Sequence, residues 1–137
     1  MGLDAYINKV DTVYLKINLK TREVTTERDF KDIAYFRKFV PLHIWFIRKL
    51  NIEKERFYSG DKAIPKKVVS TLIKDIKISL TDKRKMQKLF PQTLRTGHLG
   101  LSSFYTQYDE VFEKDLKFLL GVLEENFDEE LIYSWWG

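Results

Sequence analysis

Cysteine is missing from this 137-residue chain. Disulfides and thiolate metal sites are therefore excluded, and the absence fits a cytoplasmic protein. Histidine is nearly missing: His43 and His98 are the two present, and neither belongs to a helical HExxH pattern, so neither a metal nor a cofactor is expected. There is no glycine-rich P-loop, no dinucleotide fingerprint and no GxSxG elbow. No apolar run is long enough to span a membrane. The opening Met1-Gly2-Leu3-Asp4-Ala5-Tyr6 lacks the basic region and long apolar stretch of a signal peptide, and Tyr6 stands where a myristoylation motif wants Ser or Thr. Repeats, linkers and low-complexity segments are absent too. A base, an orienting partner and an oxyanion donor cannot be assembled from these spacings, so a non-catalytic protein is expected.

Against these absences stands a hydrophobic fraction of 44% and an aromatic fraction of 15%, enough for a real core and against disorder. The length fits one domain over 1–137. The net charge of +4 is unevenly spread: residues 1–68 sum to +6, 69–100 to +5 and 101–137 to −7. A basic body with an acidic final segment favours head-to-tail or antiparallel self-association, so a homo-oligomer is expected. The Lys62–Arg95 stretch could also hold nucleic acid non-specifically.

Hydrophobic periodicity predicts an α+β fold: a small, mainly antiparallel sheet of the N-terminal strands and the C-terminal strand, packed by about three helices. Leu3–Asn8 and Thr12–Leu19 read as strands, with Val13, Leu15, Ile17 and Leu19 alternating with polar residues as on a half-buried strand. Lys20-Thr21-Arg22 reads as a turn, and Glu23–Thr26 as a third short strand. Asp29–Leu50 reads as one helix, kinked at Pro41. Asn51–Ile64 reads as polar and turn-like, Pro65–Ile78 and Thr81–Phe90 as helices, and Gln92–Ser103 as a loop. Tyr105–Phe127 is the clearest helix, with Ser103 as its cap, and Leu131–Trp136 reads as a closing strand.

The predicted 29–50 helix is apolar on nearly every side, so its ionisable residues need partners or a cavity. On such a helix Lys38, Leu42 and Trp45 share one face, while Arg37, Pro41, Ile44 and Arg48 share another. Lys38 with Trp45 combines a phosphate contact with a stacking surface. Ordinary core roles compete: Arg37 or Lys38 paired with Asp109 or Glu110, Trp45 packed, and His43 a satisfied core histidine. Tyr105, Tyr108, Asp109 and Glu110 open the last helix, where carboxylates suit the macrodipole and the preceding Arg95–Gly100 loop has residue types that bind anions. The candidate ligand-binding set is thus Tyr35, Arg37, Lys38, His43, Trp45, Tyr105, Tyr108 and Asp109.

With these residues in view, the chain resembles a group of short proteins encoded by phages and prophages. That group opens Met-Gly-Leu-Asp-X-Tyr, as residues 1–6 do. It carries Tyr-Trp-Arg-Lys and Ile-His-X-Trp-Phe elements, similar to Tyr35-Phe36-Arg37-Lys38 and Leu42-His43-Ile44-Trp45-Phe46. A loop leading into Tyr-Asp-Glu and an aromatic closing strand are similar to Pro91–Phe104, Tyr108-Asp109-Glu110 and Tyr133-Ser134-Trp135-Trp136. Phe36, Pro41 and Leu99-Gly100-Leu101 depart from its pattern. The resemblance implies a phage accessory role. The expectation is a protein that counters host immunity by sequestering a nucleotide-type signal. The alternative is an inhibitor that binds a host defence protein through a charged surface. Phosphodiester cleavage by His43 or His98 is the weakest alternative.

Overall fold

The computed structural model describes residues 2–94, 97, 99–101, 103 and 105–137. It is an α+β fold. Two long strands, β1 (Asp4–Ile17) and β2 (Val24–Arg37), form a hairpin, and α1 (Val40–Lys49) follows. After a single 3-10 turn come β3 (Ser59–Ile64), α2 (Lys66–Thr81), α3 (Lys83–Leu89), α4 (Glu110–Glu125) and β4 (Leu131–Trp136). The four strands are antiparallel in the order β2-β1-β4-β3.

The largest departure from the sequence expectation lies at 29–50. Residues 29–37 are the second half of β2, and the helix starts only at Val40. The 14-residue β1 requires a partner of equal length, and Ala34 and Phe36 alternate inward with Tyr35 and Arg37 outward, a period of two. Pro41 then falls in the first turn of α1, where its missing N–H costs nothing, and the expected kink does not form. Residues 59–64, expected to be turn-like, form β3 because β4 supplies a complete antiparallel ladder; the strand has little apolar pattern since most of its residues are exposed. The last helix begins at Glu110, not at Tyr105, because Asp109 caps it: its Oδ1 accepts from the N–H groups of Val111 and Phe112, each at 3.1 Å. Ser103 bonds elsewhere, accepting from the Tyr105 N–H at 3.1 Å.

The helix α1 is the centre of the core. All eight residues from Val40 to Ile47 are buried. On one side Phe46 stacks on Tyr133 of β4 at 3.8 Å between ring centres; on another Trp45 reaches Asp75 of α2 and the Phe90 ring. The helix ends in a Schellman motif: Asn51 takes the left-handed conformation (φ 52°), and the Ile52 N–H donates to the Ile47 carbonyl at 3.1 Å. The Lys62 ammonium, from β3, donates to the free Leu50 carbonyl at 2.5 Å and complements the helix dipole.

The inner face of the sheet (Ala5, Ile7, Ala34, Phe36, Tyr133, Trp135) joins this core, and the outer face is left uncovered. Edge strand β3 is fixed by Trp135, whose ring lies so close to Gly60 that a Cβ there would meet it at 2.9 Å, while its indole N–H donates to the Arg56 carbonyl at 2.8 Å. Gly60→Ala is expected to destabilise the protein by about 1–3 kcal/mol in urea melts, because the ring or the strand must move; an unchanged midpoint would refute this close approach.

Candidate functional site

The eight candidate residues divide into two groups. The first is internal. His43 of α1 is fully buried, with Nδ1 2.8 Å from the Tyr133 hydroxyl and Nε2 2.8 Å from the Phe57 carbonyl. A carbonyl only accepts, so Nε2 carries the hydrogen and donates it, and Nδ1 accepts from the Tyr133 O–H. Both ring nitrogens are satisfied by the neutral imidazole. Burial lowers the His43 pKa to about 4, partly opposed by the Phe57 carbonyl, which favours the protonated ring. Burial also raises the Tyr133 pKa well above its ordinary value. The two groups therefore stay neutral at pH 7, as hydrogen-bonding core residues.

Trp45 is equally internal: its indole N–H donates to the Asp75 carboxylate at 2.8 Å, both side chains being buried. The helical face on which Lys38 and Trp45 were to meet does not exist, because Lys38 lies outside α1 in the bend between β2 and α1. Tyr105 donates to Asp115, and Tyr108 to the Phe90 carbonyl at 2.6 Å. Burial raises the pKa of both tyrosines. Tyr105 also stacks on Phe39 at 4.0 Å. Asp109 serves as the α4 cap. His98 and part of the Arg95–Gly100 loop lie outside the described residues. Among the described residues no group of His, Asp and Glu could hold a metal.

The second group lies on the outer face of the sheet. Cross-strand partners share a face, so the register places Arg37, Asp4, Trp136 and Ser59 in one row and Tyr35, Tyr6, Ser134 and Asp61 in the next. Successive same-face positions on a strand are roughly 7 Å apart, twice the rise per residue. Tyr35 leans on Tyr6 at 4.9 Å between ring centres and donates to Asp4 at 2.7 Å, a bond that raises its pKa. Trp136 is 69% exposed and Tyr35 49%. A recess of about 280 Å³ lined by Gly2, Asp4, Trp136 and Gly137 opens in the first row. Lys38 borders it: with φ at 56° and its N–H donated to the Leu3 carbonyl, its aliphatic chain passes directly over Gly2.

Of the candidates, then, Tyr35, Arg37 and Lys38 share one neighbourhood, and Trp136 joins them. Trp136 escaped the sequence reading, although a signal was there. Leu131, Tyr133 and Trp135 alternate with Ile132, Ser134 and Trp136, and a strand ending in two adjacent tryptophans must turn one ring outward.

Comparisons of this chain with protein-family models, curated proteins and solved structures find no match.

The His43 shift has a pH consequence. Above about pH 6.5 folded and unfolded chains both hold a neutral ring. Below it the unfolded chain takes up a proton that the fold refuses until about pH 4, so stability falls as pH falls across that window. The loss amounts to about 3 kcal/mol. The stability difference between the parent protein and His43→Gln, measured by denaturant melts, should narrow by that order from pH 7 to pH 4; a constant difference would show that the ring is not held neutral.

Proposed function

We propose that this protein is a non-catalytic binder of a nucleotide-type ligand, held on the outer face of the sheet and sequestered there as a phage accessory function against host immunity. Trp136 and Tyr35 supply stacking surfaces, and Arg37 supplies the phosphate contact. One observation carries the reading: two large aromatic rings stand exposed on a sheet face that no helix covers, in adjacent rows with an exposed arginine and beside a recess. Exposed rings on a sheet are suited to stack bases, and the guanidinium fork is suited to phosphate. His43 and Trp45 are spent on the core, Tyr105 and Tyr108 on part-buried hydrogen bonds and Asp109 on the α4 cap, which weighs against a buried catalytic pocket.

Trp136 makes the test direct, because Trp45 and Trp135 are buried and an added ligand reaches Trp136 alone. Titration with cyclic di- and trinucleotides and ordinary nucleotides should quench its fluorescence and raise Tm; a ligand at ~100 times its Kd adds roughly 2.7 kcal/mol. Trp136→Ala and Arg37→Ala should each weaken binding by about 1–3 kcal/mol with the fold intact. Binding that survives both substitutions would place the ligand elsewhere, and a panel without quenching or Tm shift would remove the nucleotide reading.

A second reading, capture of an acidic protein surface, has its own observation. The helices α2 and α3 expose eight cations, Lys66, Lys67, Lys74, Lys77, Lys83, Arg84, Lys85 and Lys88, whereas Asp75 is buried against Trp45 and Asp82 caps α3. Ion pairs engage only Lys66 and Lys77 of these among the described residues. Under this reading Lys83→Glu with Lys85→Glu lowers the salt at which the protein leaves a poly-glutamate column, with stability changed by no more than about 0.5 kcal/mol. Elution at an unchanged salt concentration would dismiss it.

A further inference from the structure

We propose that the outer half of the β1–β2 hairpin is a dimerisation arm, by which two copies of this chain pack antiparallel about a twofold axis. The strand β4 pairs with β1 only from Asp4 to Lys9. Beyond that, residues 11–17 of β1 and 24–32 of β2 project from the body as a two-stranded ribbon in which every residue but the half-buried Glu27 is exposed. A two-stranded ribbon alone in water is marginal.

Its two faces differ. On one, Tyr14 donates to Glu27 at 3.0 Å and Lys16 pairs with the same carboxylate at 3.3 Å. On the other, Val13, Leu15 and Ile17 lie opposite Arg28, Thr26 and Val24. This stripe has the alternation of a strand made to be covered, yet Val13, Leu15, Ile17 and Val24 are each at least 57% exposed. The chain exposes 8879 Å² in total. A compact monomer of this mass exposes roughly 7,500 Å². The surplus is larger than the roughly 800 Å² that each partner contributes to a stable interface.

Charge identifies the occupant. Residues 11–32 hold five cations (Lys16, Lys20, Arg22, Arg28, Lys31) and five carboxylates (Asp11, Glu23, Glu27, Asp29, Asp32). A neutral ribbon is ill suited to a phosphate backbone or an anionic bilayer, and two such ribbons do not repel each other. The ends are complementary as well. The tip presents Leu19, 89% exposed, immediately before the turn cations Lys20 and Arg22. At the root, next to the bond from the Val10 N–H to the Glu130 carbonyl, lies a groove of about 360 Å³ lined by Ile64, Pro65 and Ile132 together with Asp128, Glu129 and Glu130. Arg28 pairs with Glu130 at 2.9 Å and Lys66, also in the lining, with Asp128 at 3.9 Å, so Glu129 is the rim carboxylate that no ion pair among the described residues engages. Arg28 lines this groove and also belongs to the apolar face, so stripe and groove are continuous. In an antiparallel pair of equal arms, each tip reaches the partner's root, about 30 Å from its own. Leu19 then enters the groove with Lys20 and Arg22 against the acidic rim, twice over by symmetry.

Sedimentation equilibrium over a wide concentration range should give twice the chain mass of 16.4 kDa. Leu15→Lys combined with Ile17→Lys should give a monomer whose circular dichroism and thermal midpoint show an intact body. Arg22→Glu should weaken the dimer at least tenfold, and adding Glu129→Lys to it should restore most of the loss. Four outcomes would each overturn the proposal: a monomer at every concentration, a double charge variant no tighter than Arg22→Glu, open-ended oligomers, or an arm whose lysine variants instead lose binding to a DNA duplex or to anionic vesicles.

Discussion

The structure depends on burying a helix that has no polar side. Every residue from Val40 to Ile47 is buried, and within that stretch sit two side chains that must hydrogen-bond, His43 and Trp45. Each polar group in a core must be satisfied or it costs more than its neighbours return. The fold meets this demand from two opposite directions. The sheet sends Tyr133 to the imidazole, and α2 sends Asp75 to the indole. The order of the last strand, the placement of the 56–58 segment and the rotation of α2 are all tied to one helix by directional bonds. Aromatic packing then fills the space between them.

This arrangement separates the protein into an inside devoted to structure and an outside available for binding. Burial holds His43 and Tyr133 neutral, and neither side chain meets solvent. The exposed chemistry is of a simpler kind: rings on an open sheet, cations on the far helices, and an apolar stripe on a projecting ribbon. Such surfaces recognise partners by stacking, charge and area, and they ask for no titrating group.

Much of the fold was legible in the sequence, and what failed did so for physical reasons. The alternation in Val13–Leu19 and Leu131–Trp136 and the three-and-four spacing in α2 and α4 are strong periodic signals, and the antiparallel α+β class follows from them. Residues 29–37 misled because Phe30, Ile33, Ala34, Tyr35 and Phe36 run straight into the true helix and blur a period of two into a period of 3.6. The pairing that decides the matter comes from a strand some twenty residues earlier. The strand β3 was illegible because an edge strand with one ladder carries little pattern of its own. The candidate site was half legible. Arg37 and Tyr35 were noticed for their chemistry, but on a strand they share the outer sheet face with Trp136, a ring about a hundred residues away, across β1 from it, where a helix would have set Arg37 beside Pro41 and Ile44.

The register shifts between Ile7 and Asn8 and between Val10 and Thr12 sit where the hairpin leaves the sheet. They uncouple the two halves of the same pair of strands: the alternation that serves the core stops at the first shift, and that of the ribbon starts afresh after the second. Body and ribbon are therefore under different physical constraints. The inner half is bound to the packing of one helix and tolerates little. The outer half contributes no buried side chain, so a substitution there leaves the packing of the body untouched. A change of contact surface on the ribbon thus leaves the scaffold as it is.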